Sequence, residues 1–205
     1  SRGFCNRRKK EYDKPCMVEY FRIEGQGTKK VLRGEITVSG AKNAALKAFA
    51  ASLLFEDGLT VTNVPDIEDI RTIARLAESF GVPVVKTAEG VYNLSPRKGK
   101  GTKLDRELSK KIRASIMMTG PILARYGAVT FYFPGGCLIG KRPIDQYLDS
   151  YRAMGEKVKE AEVDGAIEIT VTAPKRGLRG VALFMRKPSV GASESLMMAA
   201  VLAKG

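Results

Sequence analysis

A chain of 205 residues, 44% hydrophobic and 28% charged, carries enough apolar material to bury one sizeable core in a globular domain. It contains no histidine, which removes Ser-His triads and His-ligated zinc, and its three cysteines at 5, 16 and 137 have no CxxC spacing that could build a thiolate site. A net charge of +13 fits an anionic partner, but no basic stripe interleaved with aromatics accompanies it, so a small-molecule anion is expected rather than nucleic acid.

Residues 1–16, SRGFCNRRKKEYDKPC, have no hydrophobic periodicity, and residues 1–14 hold six Lys/Arg against two Asp/Glu. Without the apolar stretch of a signal peptide they read as a disordered basic leader. No run of eighteen apolar residues follows, so no membrane partner and a cytoplasmic location are expected. Met17 opens an alternating stretch, MVEYFRIEGQ, and residues 17–205 read as the domain proper.

From there the chain repeats itself. A strand GEITVSG (34–40) runs into a small-residue-rich helix, SGAKNAALKAFAASLLFEDG, which closes at Gly58. The same helix type recurs as RASIMMTGPILARYG, closing at Gly127, and as SVGASESLMMAAVLAKG, closing at Gly205. A second, amphipathic type follows a proline: VPDIEDIRTIARLAESFG to Gly81 and RPIDQYLDSYRAMG to Gly155. The glycines serve as helix stops. After each first-type helix comes a β-branched or aromatic run (LTVTNV, AVTFYF), and after each second-type helix another (VPVVKT, EKVKEA) that leads into a hairpin-like stretch. The unit is therefore βαβαββ, present twice and opened a third time, with the third repeat read as truncated. Helices this rich in Ala, Ser, Met and Gly suit burial on several sides, which puts them inside and the sheets outside.

Two kinds of site stand out. In PGGCLIGKRPID (134–145), glycines free the backbone to approach a ligand, and Lys141 and Arg142 favour the thiolate of Cys137. Cys137 is then a nucleophile or proton donor, or else an inert cysteine beside a turn. In SGAKNAAL (39–46), exposed helix amides and Lys42 make an anion site, or else a plain turn with a solvated lysine. Arg113 stands at the second such helix start, and Lys187 with Ser189, Val190 and Gly191 at the third. If the repeats surround a threefold-like axis, these cations, with Arg142, converge on one polyanion pocket.

SGAKNAAL, RASIMMTGPILARYG, PGGCLIGKRPID and PSVGASE, in this order, resemble the signature segments of the UDP-N-acetylglucosamine enolpyruvyl transferases, a likeness that covers nearly the whole chain from Met17 on. It implies an inside-out α/β barrel domain, the first of two, with the active site between them. It also implies transfer of the enolpyruvyl group from phosphoenolpyruvate to the 3-hydroxyl of UDP-N-acetylglucosamine by addition and elimination, without cofactor or metal. This is the first committed step of peptidoglycan precursor synthesis. By the same resemblance Cys137 is the mobile-loop acid. Lys42 and Asn43, with Arg113 and Arg142, hold phosphoenolpyruvate and the sugar nucleotide. Arg142, Pro143, Ile144, Asp145 and Gln146 cradle the uridine, and Lys187, Pro188, Ser189 and Val190 hold the diphosphate. Lys47, Met117 and Tyr147 depart from the pattern, where a proline, an aromatic and a histidine are usual. The second domain's carboxylate base and arginines are not in this sequence, so a C-terminal half is expected to complete the site, and the chain by itself is expected to be inactive. A same-fold transferase for another hydroxyl acceptor, or a non-catalytic anion- or RNA-binding module, remain as alternatives.

Overall fold

The computed structural model describes residues 27, 33–95, 101–135 and 143–205. The chain divides into two compact units, Ser1–Thr37 and Val38–Gly205. Of the first, the few described residues form neither helix nor strand, and the leader at 1–16 lies outside the described residues. The architecture below is that of the second unit.

Its elements repeat as the sequence does. Helix α1 (Lys42–Ala51) continues into a 3₁₀ turn at Ser52–Leu54 and is followed by β1 (Leu59–Val61), α2 (Glu68–Ser79), β2 (Val84–Ala88) and β3 (Val91–Leu94). A short α3 (Arg106–Lys111) precedes the second round: a 3₁₀ turn at Arg113–Met118 that runs into α4 (Thr119–Tyr126), then β4 (Ala128–Tyr132), α5 (Asp145–Ala153), β5 (Lys157–Val163) and β6 (Ala166–Thr172). The third round supplies α6 (Val190–Ala200). Each set of strands forms an antiparallel sheet of the same topology, β1-β3-β2 and β4-β6-β5. The second sheet gains a parallel bridge from Lys103 to Thr130, and the third repeat makes the same kind of bridge from Arg179 to Lys204.

The chemistry of each element explains its place. In α2 the apolar residues Ile70, Ile73, Leu76 and Ala77 recur on one face and are buried, while Glu68 and Asp69 in the first turn complement the helix dipole. Both second-type helices end in the same way. The N–H groups of Gly81 and Val82 donate to the carbonyls of Glu78 and Ala77, and those of Gly155 and Glu156 to Arg152 and Tyr151, with both glycines at positive φ. The second hairpin turns through Asp164 and Gly165, both at positive φ, as a tight turn between right-twisted strands requires.

The first-type helices pack on one another. Gly120 of α4 lies against the backbone carbonyl of Ser195 in α6, so closely that a Cβ there has no room. The Tyr151 hydroxyl joins three helices inside the core, 2.8 Å from Thr119 Oγ1 and 3.2 Å from Ser195 Oγ. Phe49 of α1 meets Tyr92 of β3 edge-to-face at 5.4 Å, which seats the first sheet on its helix. Helices inside and sheets outside is the arrangement expected from composition.

Some boundaries differ from expectation. GEITVSG does not form a strand: residues 33–41 have no ladder, and Val38 is 81% exposed. Alternation marks a strand only where a neighbour supplies ladder hydrogen bonds; here Gly40 N donates instead to a side chain, Asn63 Oδ1, at 3.1 Å. RASIMMTGPILARYG is divided, because Pro121 has no N–H and suits only the first turn of an α-helix. That turn begins at Thr119, after the 3₁₀ segment. Of the three glycines expected to close first-type helices, only Gly127 is a left-handed cap, with φ 76°. Gly58 opens β1 instead, and Gly205 ends the segment that carries the Arg179–Lys204 bridge.

Candidate functional site

Helix starts divide into two electrostatic classes. α2, α3 and α5 each carry an acidic residue in the first turn: Glu68 and Asp69, Glu107, and Asp145. α1, the Arg113–Met118 turn and α6 carry none. The first class complements its own dipole, whereas the second leaves its positive end for an outside anion. Lys42, Arg113 and Lys187 all stand at starts of the second class.

Their surroundings differ. Lys42 and Asn43 are exposed at the first turn of α1, and Lys42 Nζ lies 2.7 Å from Asp69 Oδ2 at the start of α2. An exposed pair of this kind contributes about 0.2–1 kcal/mol, so a ligand phosphate can displace Asp69. Arg113 is half-buried, and its charge acts on the Tyr147 phenol. Lys187 and Pro188 are exposed on the approach to α6, where the Ser189 hydroxyl accepts from Ala192 N at 3.3 Å and Val190 is 71% exposed. Pro143 and Asp145 are exposed, Ile144 is buried, and Gln146 Oε1 is buried without a hydrogen-bond partner.

Tyr147 stands between two of these groups, against Gly191 and within the field of Arg113. This side chain is 6% exposed. Burial is the main reason its phenol is pushed up to about 12; Tyr151 and Glu194 add to the effect and Arg113 opposes it. Its hydroxyl lies against Gly191, where an added Cβ would stand only 2.5 Å away. Tyr147, next in the chain after residues 143–146, therefore stands against the start of α6, with the charge of Arg113 acting on it. Lys42 is tied instead to α2. Cys137 and Arg142, with Lys141, lie outside the described residues. The last described residue before them, Gly135, is packed on the Lys110 carbonyl with no room for a side chain, and its N–H donates to Ser109 O.

Sequence reasoning missed Glu194 as a partner here. Glu194 Oε1 pairs with Lys47 Nζ at 2.5 Å, which ties α1 to α6 beside an apolar pocket of about 270 Å³ lined by Ala48, Ala51, Met197 and Met198. Lys47, noted as a departure, thereby has a structural role. No local signal joins residues 147 positions apart.

Comparison with known proteins follows the same lines. The family model for EPSP synthase (3-phosphoshikimate 1-carboxyvinyltransferase) matches residues 27–205. The chain belongs to the EPSP synthase family. Similar curated proteins include the UDP-N-acetylglucosamine 1-carboxyvinyltransferases of Rhodospirillum centenum, 43% identical over 92% of this chain, and of Gloeobacter violaceus, 42% identical over 91%. The chain spans 44% and 39% of those relatives' lengths. Among solved structures, the enolpyruvyl transferase NikO from Streptomyces tendae superposes on 85% of this chain and 40% of its own with a TM-score of 0.69 at 17% identity. EPSP synthase from Acinetobacter baumannii does so with a TM-score of 0.65. These two show the fold alone, matched over about two-fifths of their own length.

Proposed function

We propose that this chain serves the transfer of the enolpyruvyl group from phosphoenolpyruvate to the 3-hydroxyl of UDP-N-acetylglucosamine, the step that commits the sugar to peptidoglycan precursors. The observation that carries the reading is the 42–43% identity, over about nine-tenths of the chain, to relatives bearing that activity in their names. The packing of Tyr147, which follows residues 143–146, on Gly191, with the Arg113 charge acting on it, supports it, because a nucleoside diphosphate needs a base-binding segment and a cationic amide-rich segment near each other.

In this reading Cys137 gives its proton to the methylene carbon of phosphoenolpyruvate while the sugar oxygen bonds to the adjacent carbon. Phosphate then leaves as the methyl group returns a proton, so the sugar keeps the enolpyruvyl ether. Lys42, Asn43, Arg113 and Arg142 stabilise the charge on the phosphate and carboxylate oxygens. Gln146 Oε1, a buried acceptor without a donor, takes the imide N–H of the uracil. Lys187 to Val190 hold the diphosphate. A carboxylate base for the sugar hydroxyl comes from further polypeptide, so the chain alone binds substrate without turning it over. A cytoplasmic location goes with these substrates.

Fosfomycin tests the thiol. Mass spectrometry after incubation is expected to find one adduct, on Cys137, and a folded chain that gains none overturns the assignment of the acid. Calorimetry tests the pocket: Arg113→Ala is expected to weaken UDP-N-acetylglucosamine binding by about tenfold or more, the loss of one charge-assisted phosphate contact. Unchanged affinity would remove Arg113 from the site.

A further inference from the structure

Tyr147 stands outside the binding segments just assigned, yet its hydroxyl lies against Gly191 and the Arg113 charge acts on it. It follows Gln146 directly in α5. Its hydroxyl lies over Gly191, the second residue of α6, and Met117 Sδ closes the same spot at 3.8 Å from where a Cβ would be. Arg113 and Glu194 face the phenol with opposite charge, and Glu194 is held by Lys47 of α1. Gly191 is helical, a position where alanine ordinarily strengthens a helix. The reason for glycine here is steric and very local. An added Cβ would meet the Tyr147 hydroxyl at 2.5 Å but the ring carbon behind it, Cζ, at 3.8 Å, an ordinary contact distance.

We propose that Tyr147 is a positioning residue: its hydroxyl, pressed on the bare backbone of Gly191, fixes the start of α6 against the start of α5, so that residues 143–146 and 187–190 meet a nucleoside diphosphate sugar as one surface. The ligand in this statement rests on the function proposed above, whereas the contact does not. The arrangement works like a fitted joint. Moving the Gly191 backbone by a few tenths of an ångström turns the Ser189–Gly191 segment away from the uridine segment, and a bidentate ligand then loses one of its two holds.

Four proteins test it: the chain as it stands, Gly191→Ala, Tyr147→Phe and the double variant. Each is measured for UDP-N-acetylglucosamine affinity by calorimetry and for melting temperature. Gly191→Ala is expected to weaken binding about tenfold or more, and Tyr147→Phe by about fivefold or more because the contact is lost. The double variant is expected to return to within about threefold of the starting chain, since the new methyl fills the place of the hydroxyl at contact distance from Cζ. A Tyr147→Phe chain that binds like the starting one overturns the proposal. Binding that Gly191→Ala leaves unchanged, or a double variant no better than Gly191→Ala, overturns the proposal. A recovery of melting temperature without recovery of affinity also overturns it, because the contact would then be merely structural. Should the unaltered chain bind no UDP-sugar while the melting temperatures still show the rescue, the functional reading falls and the joint stands without its ligand.

Discussion

Glu156 shows how one residue inherits a seat from the fold. In the first repeat the residue after the helix-ending glycine is Val82, fully buried, as the capping motif favours. In the second repeat the same seat holds Glu156, 5% exposed, with neither carboxylate oxygen hydrogen-bonded. Burial pushes this carboxyl up to about 7 from the ordinary 4.5. The folded chain thus keeps a proton that the unfolded chain has lost. Its contribution to stability is full below about 4.5 and is lost as pH rises through about 7. Glu156→Val is expected to stabilise the protein by about 1–3 kcal/mol at pH 8 and by clearly less at pH 5, as urea denaturation at the two values will read. An equal gain at both would show that the carboxyl is not the cause. Tyr151 is the counterexample of a buried polar group with its partners in place, 2.8 Å from Thr119 Oγ1 and 3.2 Å from Ser195 Oγ. Tyr151→Phe leaves both hydroxyls without that partner and is expected to cost about 1–2 kcal/mol in the same assay.

At the scale of elements, close approach of the small-residue helices is the controlling feature. α4 and α6 touch where Gly120 meets the Ser195 carbonyl, a contact between backbones that no rotamer change can relieve. Gly120→Ala is therefore expected to destabilise by about 1–3 kcal/mol even though alanine is the better helix former; a rise in melting temperature would contradict the packing described. In the second sheet polar side chains hold the added bridge in place. Lys103, beside β4, pairs with Glu168 of β6 at 2.7 Å while the Tyr132 hydroxyl donates to the same oxygen at 2.8 Å. The hydrogen bond from Lys103, more than any other influence, holds the Glu168 carboxyl below its usual range. Being exposed on the lysine side, this cluster serves to register the added bridge rather than to stabilise the core.

For the molecule as a whole, the helix-start charges fall into a pattern that bears on the proposed anion binding. Acids sit at the starts of α2, α3 and α5 and are missing from those of α1, the Arg113 turn and α6, so the free positive ends all belong to the inner helices. A ligand phosphate bound there competes with solution ions. UDP-N-acetylglucosamine affinity is accordingly expected to fall as salt is raised from 50 to 500 mM, by roughly fivefold or more, a range in which screening of partly exposed charges becomes strong. Salt-independent binding in calorimetry would point to contacts with the sugar and base alone. The outer face of α6 adds a second feature of this scale: Val190, Met197 and Val201 are 71%, 68% and 65% exposed, a spacing of apolar residues along one helix side.

The amino-acid sequence alone determined the repeat, the two helix types, the inside place of the small-residue helices and the residues at their starts. All of these are local patterns, since periodicity, glycine stops and proline positions act over a few residues. Its alternation pointed to a strand at GEITVSG that the structure does not form, because pairing needs a neighbour that alternation does not specify. The sequence could not show that Lys47 meets Glu194, that the Tyr147 hydroxyl dictates a glycine at 191, or that Glu156 occupies the seat of Val82. Each of those facts joins residues far apart in the chain or compares two repeats in space. Only the packed structure, where backbone positions are fixed to a few tenths of an ångström, decides them.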